Sequence, residues 1–468
     1  MEISESILGG HDVISTRDKL ESRVLILPRT AEESKSGVFD FSRVLLLSVL
    51  MAGPLLFGAV QPWAWGAVTI AAAFLLLLWG LGCARAGSVI ITSSLLYVPI
   101  LGVLVLAAVQ LWSRLSMDHA GTREALIKLI GYAIIFFVGQ QLYVSASPRT
   151  WQYTGAAVAV YMFLMAVFAI VQFFASPGLI YGVIPAEYAS VFGPYVDRGN
   201  YAGLMEMLIP IAVTLACSLR WKHPAKLFLL FVVFTALVSV FLSGSRAGLI
   251  SLAVEFAILG LVILFTGTEH KHVLVVGILV AALAVGFFYW LDPGDVWGRW
   301  KQMATRPELA LGDRQKIAED SFLMCRDHLA HGVGLGAFEV AYTPYQSVVT
   351  DLTIDYAHND YLQFLAETGI WGWLLAPLAI TIFVVLSFRR LRARLRYQSG
   401  WLQFGAAVGV CGLLVHSFSE FNLHIPANAA WFSFLAALAT VASTPKSHSM
   451  PSDFPPGMKG TISQTPCC

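Results

Sequence analysis

Apolar residues fall along this chain in continuous blocks of about twenty, separated by short polar turns, and do not alternate with polar residues as strands would require. Blocks of that length cross a hydrocarbon core of roughly 30 Å as helices. The pattern predicts spans at 44–60, 64–82, 95–113, 124–144, 152–175, 200–219, 225–243, 247–266, 273–291, 369–388, 402–418 and 425–442. Helices are expected because a helix satisfies its own backbone hydrogen bonds in lipid. The fold class expected is therefore an all-α integral membrane protein of about twelve transmembrane helices.

The polar stretches divide the chain further. Residues 1–43 and 443–468 read as disordered cytoplasmic tails, the first basic and polar, the second rich in Ser, Pro and Thr. Residues 44–291 hold the first nine spans and 369–442 the last three. Between them, 292–368 is a long loop with a polar helical pattern near Asp313 to His328, then Gly332, Gly334 and Gly336, then the aromatics Phe338, Tyr342 and Tyr345. A long loop of that kind is expected to be folded and functional. The "HGVGLGAF" stretch lacks the preceding strand of a dinucleotide fingerprint and reads as flexible turns.

Composition agrees with a membrane setting: 57% of the 468 residues are hydrophobic and 13% charged, against about 25% charged in ordinary soluble domains. The net charge of +1 gives no basic field for nucleic acid. Most of the 30 Lys and Arg fall on the side of the N-terminus, including the run Arg389, Arg390, Arg392, Arg394 and Arg396. By the positive-inside rule both termini are cytoplasmic, and the long loop faces the opposite side. The six cysteines include no CxxC pair, and they imply neither a disulfide framework nor a zinc site.

The candidate chemistry collects on the outward side. Asp197, Arg198 and Asn200 open the sixth span, with Glu206 inside it; Ser243 to Arg246 turn between the seventh and eighth; Arg314 lies in the loop; His358, Asn359 and Asp360 precede the tenth span; His416 ends the eleventh, and Glu420 and His424 follow it. Charge in or beside hydrocarbon is unfavourable by about 2.5–3.5 kcal/mol per residue on insertion scales, so such residues mark sites. Arg198 can equally snorkel to the interface. Arg246, in the short turn "SGSRAG", suits bidentate capture of phosphate. His358 can act as a general base near neutrality. Asn359 and Asp360 are helix-cap types, and capping is the role expected of Asp360. His416, Glu420 and His424 would share a face if helical, which suggests a metal; Pro426 favours a loop instead, and no metal is assigned. No P-loop, HExxH, GxSxG or Asp-x-Asp pair occurs.

In "RGNYAGLMEMLIP", "LSGSRAGLISL", "GDRQKIAEDSF", "HGVGLGAFEVAY", "YAHNDYLQFLAETGIWG" and "FNLHIPANA" the chain resembles the O-antigen ligase and polymerase superfamily of bacterial membrane proteins, over roughly residues 40–440. The resemblance implies a GT-C-like glycosyltransferase of the inner membrane, with a large periplasmic loop before the last three helices. It implies a partner set too: an undecaprenyl-pyrophosphate-linked glycan as donor and a glycan, lipid A-core or protein hydroxyl as acceptor. No cofactor is implied. By motif, Arg246 and Arg314 would hold pyrophosphate and His358 would activate the acceptor. Arg198, Asn200, Asn359, Tyr345, Glu420 and His424 are the expected substrate-binding residues. The motifs serve ligases and polysaccharide polymerases alike. A lipid-linked sugar transporter or flippase is the reading from another class, disfavoured because the charge gathers on one face and no internal repeat is visible.

Overall fold

The structure, a computed structural model, describes residues 37–89, 91–185, 190–219, 223–265, four positions between 282 and 286, 307–348, 353–389 and 391–442. It is an α-helical membrane protein. The described helices are α1 Gly37–Leu55, α2 Pro62–Arg85, α3 Tyr97–Trp112, α4 His119–Tyr143, α5 Pro148–Ala175, α6 Arg198–Ser218, α7 Pro224–Ser243, α8 Arg246–Phe265, α9 Pro307–Asp327, α10 Phe338–Tyr342, α11 Asp360–Phe388, α12 Leu391–Arg394, α13 Gln398–His416 and α14 Pro426–Thr440. A two-residue hairpin, β1 Leu179–Ile180 with β2 Ile184–Pro185, is the one sheet among the described residues.

Nine of these helices are long and apolar enough to cross a membrane: α1, α2, α4 to α8, α11 and α13. Helix α3, at 16 residues, and α14, at 15, rise about 24 and 22 Å. Both occupy expected spans. The expected ninth span, 273–291, lies outside the described residues, as do 1–36 and 443–468. Helix α1 begins at Gly37, ahead of the expected first apolar residue Val44. Its polar start is anchored by Arg43, which donates to the Leu142 carbonyl at the end of α4 and pairs with Asp40.

Helices α6 and α13 pack along each other at the centre, with α5, α7, α8 and α14 around them. Small residues permit the close approach: a Cβ on Gly409 would fall on the Met207 carbonyl, and one on Gly405 would meet the Pro210 carbonyl at 2.8 Å. This is how helices associate where lipid supplies no hydrophobic drive.

Helix α9 and the short α10 form a second core with Val333, Val348, Ala357 and the start of α11. Helix α11 begins at Asp360, nine residues before the apolar run, because its first turns are amphipathic and lie against α9. At Gly369 its backbone turns to φ +62°. There the glycine segment closes on it: Ile370 donates to the Leu329 carbonyl, Val333 to that of Ala366 and Gly334 to that of Glu367. Gln110 of α3 staples the junction by donating to the His331 and Glu367 carbonyls and accepting from the Leu335 amide. The three glycines expected as flexible turns are thus a close-packed crossing. Gly332, Gly334 and Gly336 all have positive φ, and a Cβ on Gly332 would fall on the Glu367 carbonyl.

Candidate active site at one end of the bundle

Three helix beginnings and one turn meet at the end of the bundle that carries the α9 unit. Asp197 caps α6 by accepting from the Gly199 amide at 2.6 Å, so Arg198 and Asn200 fall in the first turn. Gly244 ends α7 in the left-handed conformation, and the Ser245 hydroxyl accepts from the Gly248 amide at 3.2 Å. That places Arg246 on the first turn of α8. Gly248 sits against Ala202, where an added Cβ would come within 2.8 Å of the alanine methyl. The two helix beginnings are therefore in contact, and the charges of Arg198 and Arg314 both bear on Arg246.

Asn359 caps α11 by accepting from the Leu362 amide at 3.0 Å. Just before it, His358 holds φ at +51°, an uncommon conformation for a non-glycine residue that a surrounding structure must impose. Its Nδ1 lies 3.3 Å from Glu420 Oε2, and its ring meets Phe421 edge-on at 5.0 Å. Glu420 bridges two groups. Its other oxygen accepts from Arg314 Nη2 at 2.7 Å, while Arg314 Nη1 donates to the Ser419 carbonyl at 3.1 Å. Burial pushes the Glu420 carboxyl up, but the hydrogen bond from His358 and the charges of Arg314, His358 and His416 outweigh it and hold it at about 2. An ionised carboxylate only accepts. His358 Nδ1 is therefore the donor in this contact, which leaves Nε2 as the ring nitrogen turned away from Glu420.

Asp360 does not cap α11, since Asn359 does. Its buried carboxylate instead clasps the turn after α13, accepting from the Ser417 hydroxyl at 2.7 Å and the Leu423 amide at 3.2 Å, with His424 Nδ1 at 2.7 Å. Burial lowers the affinity of His424 for its proton, yet the bond to Asp360 and the charges of Asp360 and Glu367 raise it overall. Tyr356 stacks on Phe421 at 4.3 Å and meets His424 at a tilt, 5.5 Å between ring centres. At the α6 cap, burial and then the neighbouring Glu420 push the Asp197 carboxyl up, against its bond to Gly199 and the charge of Arg314.

The structure thus brings Arg198, Arg246, Arg314, His358, Asn359, Glu420 and His424 to one end of the bundle. Arg198 and Arg246 have no hydrogen bond or ion pair from their guanidinium groups to a described residue. Arg314 gives up part of its fork to Glu420 and stays half-exposed. Asn200 is buried with its side-chain oxygen unpartnered among the described residues, and its backbone carbonyl accepts from Asn428. Tyr345 is not part of the cluster. Its hydroxyl bonds Asp327 and sits 3.3 Å from His328 Nε2, thirteen residues along α9 from Arg314 and so ~20 Å away on that axis. His416, Glu420 and His424 do not share a helical face, because α13 ends at His416. Each has its own carboxylate or cation partner: Glu206, the Arg314–His358 pair, and Asp360. Sequence reasoning missed the bridging of Arg314 to His358 by Glu420. It could not have been read from spacing, since the bridge joins residues 62 and 106 positions apart.

Residues 230–377 match a family model described as O-antigen ligase. The matched segment contains Arg246, Arg314, Tyr345, His358 and Asn359; Arg198, Asn200, Glu420 and His424 lie outside it. No curated protein matches the chain.

Proposed function

The chain belongs to the O-antigen ligase and polymerase superfamily, and from that premise we propose that it transfers a glycan from undecaprenyl pyrophosphate to an acceptor hydroxyl at the periplasmic face of the bacterial inner membrane. Arg198, Arg246 and Arg314 bind the pyrophosphate. His358 Nε2 takes the proton of the acceptor hydroxyl as its oxygen attacks the anomeric carbon. The bond from that carbon to the terminal phosphate oxygen breaks in the same step, which inverts the anomeric centre. The electron pair leaves with undecaprenyl pyrophosphate, whose growing charge the guanidinium groups stabilise without reorganising. Asn359 and His424 line the acceptor side, and Asn200 lies beneath the arginines. Pyrophosphate is a good leaving group and three guanidinium groups meet its charge, so the step runs without a metal.

The observation that carries this reading is the Arg314–Glu420–His358 bridge beside Arg198 and Arg246, whose guanidinium groups have no partner among the described residues. It couples an anion-binding set to a ring nitrogen whose lone pair is free. A transporter would be expected to hold its substrate near the bilayer midplane, whereas Arg198 and Arg246 stand on the first turns of their helices at one end of the bundle. The test is purified protein reconstituted with an undecaprenyl-pyrophosphate glycan and a hydroxyl acceptor. Glycan should appear on the acceptor with inverted anomeric configuration. Labelling of a cysteine placed at His331 by an impermeant thiol reagent in intact spheroplasts should confirm the outward face. No transfer, or labelling only after lysis, contradicts the proposal.

A further inference from the structure

Below the arginine cluster, inside the bundle, lies a second polar group that the mechanism does not use. Glu206 of α6, Glu255 of α8 and His416 of α13 are each at most 1% exposed. His416 Nδ1 spans both oxygens of Glu206, at 2.9 and 3.0 Å. His416 Nε2 and both oxygens of Glu255 have no hydrogen-bond partner among the described residues. Glu255 occupies the space that Gly412 leaves on α13, one turn below His416, where a Cβ would collide with its carboxyl. It is close enough to Glu206 for the two carboxyls to act on each other.

The position is informative. These are the helices that carry Arg198 and Arg246 and lead into Glu420, and Glu206 and Glu255 sit eight and nine residues below the two arginines, ~12–13 Å down the axes. A carboxylate with no partner in a membrane interior is very unfavourable. The neutral arrangement is a charged His416–Glu206 pair beside a protonated Glu255, and loss of the Glu255 proton would leave the cluster at −1.

We propose that Glu206, Glu255 and His416 form a proton-binding site inside the bundle, with the exchangeable proton on Glu255, whose occupancy is coupled to the binding of pyrophosphate at the arginine cluster. The coupling rests on the proposed reading of that cluster as a pyrophosphate site. Linkage fixes its sign. A negative charge on Glu255 weakens the positive field that holds the donor, so donor affinity is highest with the proton on and falls as pH rises through deprotonation. Reciprocally, donor binding draws a proton from solvent onto Glu255. At ~13 Å and an effective dielectric of about 20, one charge changes the affinity roughly tenfold. Other titratable groups face the cluster: Cys411 beside Glu255, and Glu420 and Asp360 beside His416.

The test uses the full chain in nanodiscs, wild type beside Glu255→Gln, with Glu206→Gln as a second variant and thermal unfolding to confirm that each folds. Infrared difference spectra across a pH change should show a protonated-carboxyl band in the wild type that Glu255→Gln removes. Undecaprenyl pyrophosphate should bind the wild type about tenfold more weakly as pH rises, and Glu255→Gln should hold the low-pH affinity throughout. A carboxyl band unchanged in Glu255→Gln, or equal pH dependence in both proteins, overturns the proposal. If undecaprenyl pyrophosphate binds neither protein at any pH, the reading of the arginine cluster and the coupling built on it fail together. The infrared band then decides the proton site alone.

Discussion

Glu420→Gln is the substitution that separates a bridging carboxylate from a merely buried one. Glutamine keeps the shape of the side chain but removes its charge, so the bond at 2.7 Å to Arg314 Nη2 and the contact at 3.3 Å to His358 Nδ1 lose their charge assistance. Its carboxyl is held at about 2, from an ordinary value of 4.5, so the folded protein favours the ionised form by on the order of 3 kcal/mol. With its folded value depressed, that stabilisation is present above the unfolded pKa and is lost only as pH falls through about 2. At neutral pH, Glu420→Gln should therefore lower stability by up to that amount, measurable as a lower unfolding midpoint in detergent. Catalysis should suffer separately. Glutamine has a single acceptor oxygen, and with it turned to Arg314 its NH2 faces His358 Nδ1 and favours the opposite tautomer, so transfer in a single turnover should fall by roughly 10²-fold, within the range for a disabled general base. Donor affinity should not fall with it, because Arg198, Arg246 and Arg314 keep their charge and a negative charge beside Arg314 is removed. A Glu420→Gln protein that transfers at the wild-type rate would refute the bridge as the element that sets up His358.

The crossing at Gly369 should resist any side chain. Gly369→Ala places a Cβ 2.5 Å from the Leu329 carbonyl at φ +62°, and should destabilise the protein by about 1–3 kcal/mol in denaturant unfolding; an unchanged midpoint would show that the junction yields. The His424–Asp360 pair should give pH-dependent stability: with the proton affinity of His424 raised, its contribution is fully present below the unfolded value of 6.5 and is lost as pH rises through the higher folded value. The difference in unfolding midpoint between wild type and His424→Gln should accordingly shrink toward alkaline pH, and a difference that widens would be the wrong sign. Transfer from the lipid-pyrophosphate donor should proceed in EDTA, since three guanidinium groups meet the leaving charge. Activity lost on chelation and restored by one divalent cation would overturn that.

The apolar runs were legible because hydrocarbon demands long uninterrupted helices, and they located the described spans to within a turn or two in most cases. Two starts were not. Helix α11 begins at Asp360 and α1 at Gly37, because their first turns are held by contacts with α9 and α4 that hydropathy does not register. The charged residues at one end of the bundle were also legible, since few charges fall so close to apolar spans. Their pairing was not. Glu420 and Asp360 each join segments far apart in sequence, and only the fold decides that one bridges an arginine to a histidine while the other clasps a turn. Tyr345 is an aromatic near the motifs whose hydroxyl bonds the far end of α9, a placement that sequence proximity does not reveal. Glu255 is the residue whose signal was present and unused: a lone carboxyl in the apolar run "SLAVEFAILG" is unfavourable enough to ask for a reason.

In the proposed reaction the labour is divided, with arginines holding the donor and His358 moving the proton. The measurement that tests it most directly compares donor binding and transfer for Arg246→Lys and His358→Ala in one purified system. Lysine keeps the charge but not the planar fork, so Arg246→Lys should bind undecaprenyl-pyrophosphate glycan markedly more weakly. His358→Ala should bind it nearly as well as wild type and transfer on the order of 10²- to 10⁴-fold more slowly. Wild-type transfer by folded His358→Ala, or undiminished binding by Arg246→Lys, would contradict the central claim.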